Sequence, residues 1–140
     1  MKKGILFNAC FLFLNLLNAQ NLNLVNPRCE YKTNPLGIDE MQPRFSWELV
    51  SSQRDVMQTA FQIKVAKTQT DLEKGKNLVW DSGKVSSDKS VHVEYGGKAL
   101  ESRQRYFWQV EIWDNKGNTA VFNEPSFWEM ALLLPTEWQA

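Results

Sequence analysis

Tyr106-Phe107-Trp108-Gln109-Val110-Glu111-Ile112-Trp113-Asp114-Asn115-Lys116-Gly117 decides the fold class. Tyr106, Trp108, Val110 and Ile112 alternate with Phe107, Gln109, Glu111 and Trp113. Successive side chains of a strand point to opposite faces, so this alternation gives one continuous apolar face. The polar run at 114–118 then supplies a hairpin turn, with Gly117 able to take a positive φ.

The same period of two recurs on both sides of this stretch. Residues 44–49 place Phe45, Trp47 and Leu49 on one face. Residues 59–67 place Phe61, Ile63 and Val65 on one face, with Gln62, Lys64 and Ala66 opposite. Val91, Val93 and Tyr95 alternate with His92 and Glu94, and residues 126–132 form a last run. Residues 78–80 make a shorter run, and 24–31 a first one. Turn residues separate the runs: Asn34-Pro35-Leu36-Gly37, Asp81-Ser82-Gly83 and Gly96-Gly97. The polar stretch 68–76 has room for one helical turn, and Pro125 precedes the last run, where a missing amide donor does least harm. No segment holds a sustained helical period. About seven strands, each with one apolar face, predict an all-β two-sheet sandwich of the immunoglobulin-like or fibronectin type III-like kind. Two details favour the fibronectin type III form. Leu100 precedes Tyr106 by six residues, which resembles the corner where a Tyr hydroxyl ties loop to strand. Trp47 resembles the core Trp on the second strand of that fold.

Composition sets the outer bounds. At 140 residues and 43% hydrophobic, the chain can build one core. Sixteen basic residues balance sixteen acidic ones, so no electrostatic footprint for nucleic acid is expected. The mean hydropathy is negative, which excludes a polytopic membrane protein. At the N-terminus, Met1-Lys2-Lys3 is a short basic region and residues 4–17 form an apolar stretch interrupted by Asn8 and Asn15. Asn18-Ala19-Gln20 offers a small residue at the cut. Residues 1–19 therefore read as a signal peptide, too short to span a bilayer, and export to the periplasm or cell exterior is expected, with no membrane anchor after cleavage. Cleavage removes Cys10 and leaves Cys29 alone, so no internal disulfide is expected. The division is then 1–19 signal peptide, 20–134 sandwich domain, and 135–140 the start of a linker to a downstream domain.

Catalytic chemistry finds little support. His92 is the single histidine and alternates within a strand run, and no Gly-x-Ser-x-Gly elbow surrounds any serine. No clustered His, Cys and carboxylate set matches a metal site, and no glycine-rich phosphate loop follows a strand, so neither metal nor cofactor is expected. Glu48, Glu94, Glu111 and Glu129 alternate with core residues and point outward, which leaves no burial to raise one carboxyl as a general acid. No catalytic residue is expected in this chain. The six Trp and the 12% aromatic content are the remaining signal. Phe107 and Trp113 fall opposite the core face of their strand, and Phe127 and Trp128 are neighbours that cannot both face inward. Phe107, Trp113, Trp128 and Trp138 are the candidates for a surface that docks a domain or stacks a sugar.

Four segments, in order, carry a family resemblance. They are Asn34-Pro35-Leu36-Gly37-Ile38-Asp39, Pro43-Arg44-Phe45-Ser46-Trp47, Trp80-Asp81-Ser82-Gly83-Lys84-Val85 and the 106–117 stretch. Together with Glu129-Met130-Ala131-Leu132-Leu133 and Trp138, they closely resemble the N-terminal module of secreted bacterial α-L-rhamnosidases, over residues 24–140. That resemblance implies a fibronectin-like module followed by further β-domains and an (α/α)6 barrel. The barrel carries the acid and base of an inverting hydrolysis, whose carboxyls stand about 6.5–9.5 Å apart. None of those positions exists here. The implied partners are the downstream domains of the same enzyme and a rhamnose-containing glycan. Two other roles stay open: a stand-alone carbohydrate-binding module, and a structural spacer or adhesion module.

Overall fold

The computed structural model describes residues 22–138, so the signal-peptide segment lies outside the described residues. The ten-residue strand β6 (Arg105–Asp114) organises the fold. Tyr106, Trp108, Val110 and Ile112 all point into the core, as their alternation predicts. On one side β6 pairs antiparallel with β3 (Gln58–Ala66), from Ala66 opposite Phe107 to Ala60 opposite Trp113. On its other side lie two short strands, β7 (Thr119–Val121) and β8 (Ser126–Glu129). β7 pairs with residues 111–113 of β6, and β8 with residues 105–108. They are two halves of one edge, interrupted at 122–125, where Pro125 lacks the amide a ladder needs. β4 (Leu78–Asp81) closes the far edge beyond β3.

The second sheet runs β1 (Leu22–Cys29), β2 (Arg44–Ser51), β5 (Val93–Glu94), all antiparallel. In β1 the register slips between Val25 and Arg28, and Asn26 sits at φ 51. An extra residue in a strand exchanges its two faces beyond that point. This is why Leu22 and Leu24 face inward before the bulge and Cys29 after it. The two sheets enclose one core. Its centre is aromatic: the Trp128 ring stacks on Tyr106 at 5.2 Å and meets Phe45 edge-on at 5.4 Å. Phe45 in turn lies 4.6 Å from Trp108, and Trp80 meets Tyr95 at 5.2 Å. The result is an all-β immunoglobulin-like sandwich with one short helix, α1 (Gln69–Lys74), inside the polar stretch where a helical turn is expected. Thr68 caps its first turn and Gly75 ends it in the left-handed conformation.

Buried polar groups pin the loops to this frame. The backbone N–H of Glu101 donates to the Tyr106 hydroxyl at 2.9 Å, which is the tyrosine corner the Leu100–Tyr106 spacing predicts. The Trp47 indole donates to Gln58 at 2.8 Å, and the Gln58 amide donates on to the carbonyls of Ser87 and Lys89. Asp114 ends β6 and accepts from the backbone of Lys116 and Asn118, closing the hairpin with Gly117 at φ 81.

Two runs are shorter than their patterns predict. The alternation of Val91, Val93 and Tyr95 breaks at His92, which takes φ 57, so Val91 is half-exposed and only Val93–Glu94 pairs as a strand. The last run ends at Glu129, because Met130 leaves β6 to bridge Ile38.

Candidate functional site

Phe107 and Trp113 share the outer face of the β3–β6 sheet but do not form one platform. They are six residues apart on one strand, about 20 Å at 3.3 Å per residue. Glu111 opposite Gln62, and Gln109 opposite Lys64, fill the gap with polar side chains. At one end Phe107 meets Phe127 at 6.1 Å. The Arg105 guanidinium covers Phe127 at 4.4 Å while pairing with Glu129 at 3.1 Å. Helix α1 lies against β3 and β6 and buries Leu72. At the other end the Lys84 ammonium sits 4.5 Å from the centre of the Trp113 ring. Each aromatic is half-buried and has a cation or ring neighbour. Trp128 is corrected: it is fully buried, with its indole N–H directed at the Met130 sulfur, so it offers no surface. Phe127 takes the outward place, as the impossibility of both facing inward requires.

Trp138 is different. It is 66% exposed and follows the 3-10 turn Pro135–Glu137 at the end of the described chain. The turn is folded back on the sandwich by one carboxylate. The Ser102 hydroxyl donates to Glu137 Oε2 at 2.6 Å, and the backbone N–H groups of Leu133 and Leu134 reach the same oxygen at 3.2 and 2.9 Å. These donors, with Ser102 first, hold the Glu137 carboxyl below its usual range. Beside the turn is a hollow of about 420 Å³ lined by Met41, Leu100, Leu133 and Leu134 together with Glu101, Ser102 and Glu137. Met41 and Leu134 are largely exposed at its rim. Neither was legible as a site residue. The available signal was Met41 itself, an apolar side chain in the polar turn Asp39-Glu40-Met41-Gln42.

A second cluster lies at the start of β2. Glu30 and Tyr31 form a two-residue turn with both φ values positive, 49 and 64. Non-glycine residues seldom adopt that pair. The turn is held because the Glu30 carboxylate takes the Arg44 guanidinium at 2.8 Å and its backbone N–H as well. That pairing keeps the Glu30 carboxyl low. The Tyr31 hydroxyl bonds the His92 ring at 3.0 Å.

The chemistry of these groups is that of structure. The Cys29 thiol is buried, and burial together with Glu30 raises its pKa far beyond the range of a nucleophile. Asp81, held by the Gln62 amide, has a carboxyl below the usual range, as Glu30 and Glu137 do. Burial pushes the Asp114 carboxyl up, but the Asn118 and Lys116 donors outweigh it and hold it low. None of these four is a protonated acid at neutral pH. Among the described residues no group of three His, Cys, Asp or Glu side chains could hold a metal ion.

Comparison with known proteins agrees with this picture. The family model for the Rha78A-like, N-terminal immunoglobulin domain matches residues 24–134. A curated α-L-rhamnosidase of Streptomyces avermitilis is 42% identical over 119 residues, which are 85% of this chain and 11% of that protein. One from Alteromonas sp. is 37% identical over 108 residues, 76% of this chain and 12% of the relative. The chain thus spans about a tenth of the length of the curated relatives it matches. Among solved structures, the Streptomyces avermitilis α-L-rhamnosidase complexed with L-rhamnose superposes with a TM-score of 0.79, covering 85% of this chain and 11% of that one. The α-L-rhamnosidase from Dictyoglumus thermophilum gives 0.78 at 37% identity, covering 84% of this chain and 13% of its own. With the sandwich, the tyrosine corner and a model match over nearly all the described residues, this chain belongs to the family of Rha78A-like N-terminal immunoglobulin domains.

Proposed function

We propose that this chain is the non-catalytic N-terminal module of an exported α-L-rhamnosidase, an enzyme that removes terminal α-L-rhamnose from glycans or glycosides. One observation carries the proposal: the match is to an N-terminal domain, and about nine-tenths of each relative lies outside it. The reacting groups of such an enzyme then belong to the rest of the polypeptide, in keeping with a chain whose perturbed carboxylates serve turns and strand ends. The module's work is mechanical. It docks against the domains that follow and holds them in place. Export rests on the pattern of residues 1–19.

The test is an assay of purified residues 20–140 against an aryl α-L-rhamnoside, beside a relative with and without its N-terminal module. No turnover is expected from the module alone, and loss of thermal stability from the truncated relative. Turnover by residues 20–140 above buffer would overturn the proposal.

A further inference from the structure

We propose that the docking surface is the exit end of the sandwich, the hollow rimmed by Met41 and Leu134, and that its occupant is the domain that follows this module in the relatives. This rests on the accessory-module reading and names the surface that reading leaves open. Three observations point to this end. Met41 and Leu134 are 47% and 58% exposed and line a concavity of about 420 Å³ whose floor includes the buried Leu100, and Trp138, 66% exposed, follows the turn that carries Glu137 of its lining. A set of large apolar side chains around a concavity is the anatomy of a covered surface. The match to the N-terminal domain also ends here, at residue 134, and about nine-tenths of each relative lies outside it, so in a relative the next domain starts beside this hollow. Finally, Glu137 clamps the exit segment through Ser102 and two backbone amides. A clamped exit gives the following domain a direction and raises its effective concentration at the hollow. The outer face of the β3–β6 sheet lacks these properties, because Phe107 and Trp113 are separated by polar residues and each is already engaged.

The experiment is hydrogen exchange of backbone amides on two samples. One is residues 20–140 alone. The other is a fusion in which these residues replace the matching segment of the Streptomyces avermitilis relative. Hydrolysis of an aryl α-L-rhamnoside verifies that the remaining domains of the fusion are folded. Protection at 40–42 and 133–138 is expected to rise about tenfold or more in the fusion, and Met41→Asp with Leu134→Asp to return it to the isolated value. Those substitutions are exposed, so the melting temperature of the isolated variant controls for folding. Protection gained instead at 107–113 and 127 overturns the proposed surface and leaves the accessory role standing. An active fusion with no gain anywhere in the module overturns both.

Discussion

Trp128 shows how much one residue decides. It is unexposed, stacked on Tyr106 and edge-on to Phe45 and Tyr95. Trp128→Ala should cost about 3–5 kcal/mol in urea unfolding, against about 1 kcal/mol for Tyr106→Phe, which keeps the ring and leaves the Glu101 N–H without its acceptor. Gly97 is equally constrained. A Cβ there would lie 2.5 Å from the Trp80 Cβ, the Tyr95 hydroxyl and the Val79 carbonyl. Two of those neighbours cannot swing away, so Gly97→Ala should lower the melting temperature sharply. Cys29 predicts an alkaline limit. Its thiol is raised above the ordinary 9.0 by burial, so above that pH the unfolded chain loses a proton that the folded chain keeps. Stability is fully present below pH 9.0 and falls by about 1.4 kcal/mol per pH unit above it. Tyr95, pushed up to about 12 by burial, adds to the fall above its ordinary 10.0. Cys29→Ala should flatten the profile between these two values, as read by urea midpoints across the alkaline range. Of these residues, Tyr106 was legible through its spacing from Leu100. Trp128 is a surface candidate by sequence and lies in the core, because the neighbouring Phe127 has an equal claim to either face and takes the outward one.

Elements follow from alternation where a strand is long and from hydrogen bonding where it is short. β6 and β3 were evident because four and three core residues in register outweigh any local preference. β7, with three residues, has too little pattern to be recognised and exists because the hairpin delivers it to the edge of β6. Asp114 governs that hairpin. Its carboxylate accepts from two backbone N–H groups and the Asn118 amide. Asp114→Ala should cost about 2 kcal/mol, since bonds to a charged acceptor are the stronger kind. Its folded carboxyl titrates below the ordinary 3.8, so the unfolded chain takes up the proton first as the solution is acidified. The contribution is present above pH 3.8 and is lost as pH falls through the lower folded value. An acid-unfolding series should therefore separate wild type from Asp114→Ala at neutral pH and bring them together in strong acid. β5 was overestimated because a positive φ at His92 leaves no mark in an alternating pattern.

At the scale of the molecule, one core joins both sheets, so residues 20–140 should unfold in a single transition with coincident fluorescence and circular-dichroism curves. Two separated transitions would contradict a single core. Phe107→Ala and Trp113→Ala should leave that core standing, with losses well below that of Trp128→Ala, in the same experiment. The amino-acid sequence by itself determined the fold class, the tyrosine corner, the inward faces of β2, β3 and β6, and the family. Each of these depends on local spacing, which backbone geometry converts directly into a face or a turn. Only the tertiary structure decided which aromatics reach the surface. It buried Trp128, parted Phe107 from Trp113 by the length of a strand, and brought Met41 beside Leu100 and Leu134, which are distant from it in sequence. The physical reason is that exposure depends on which neighbours pack over a side chain, and those neighbours are brought together by pairings between residues distant in sequence.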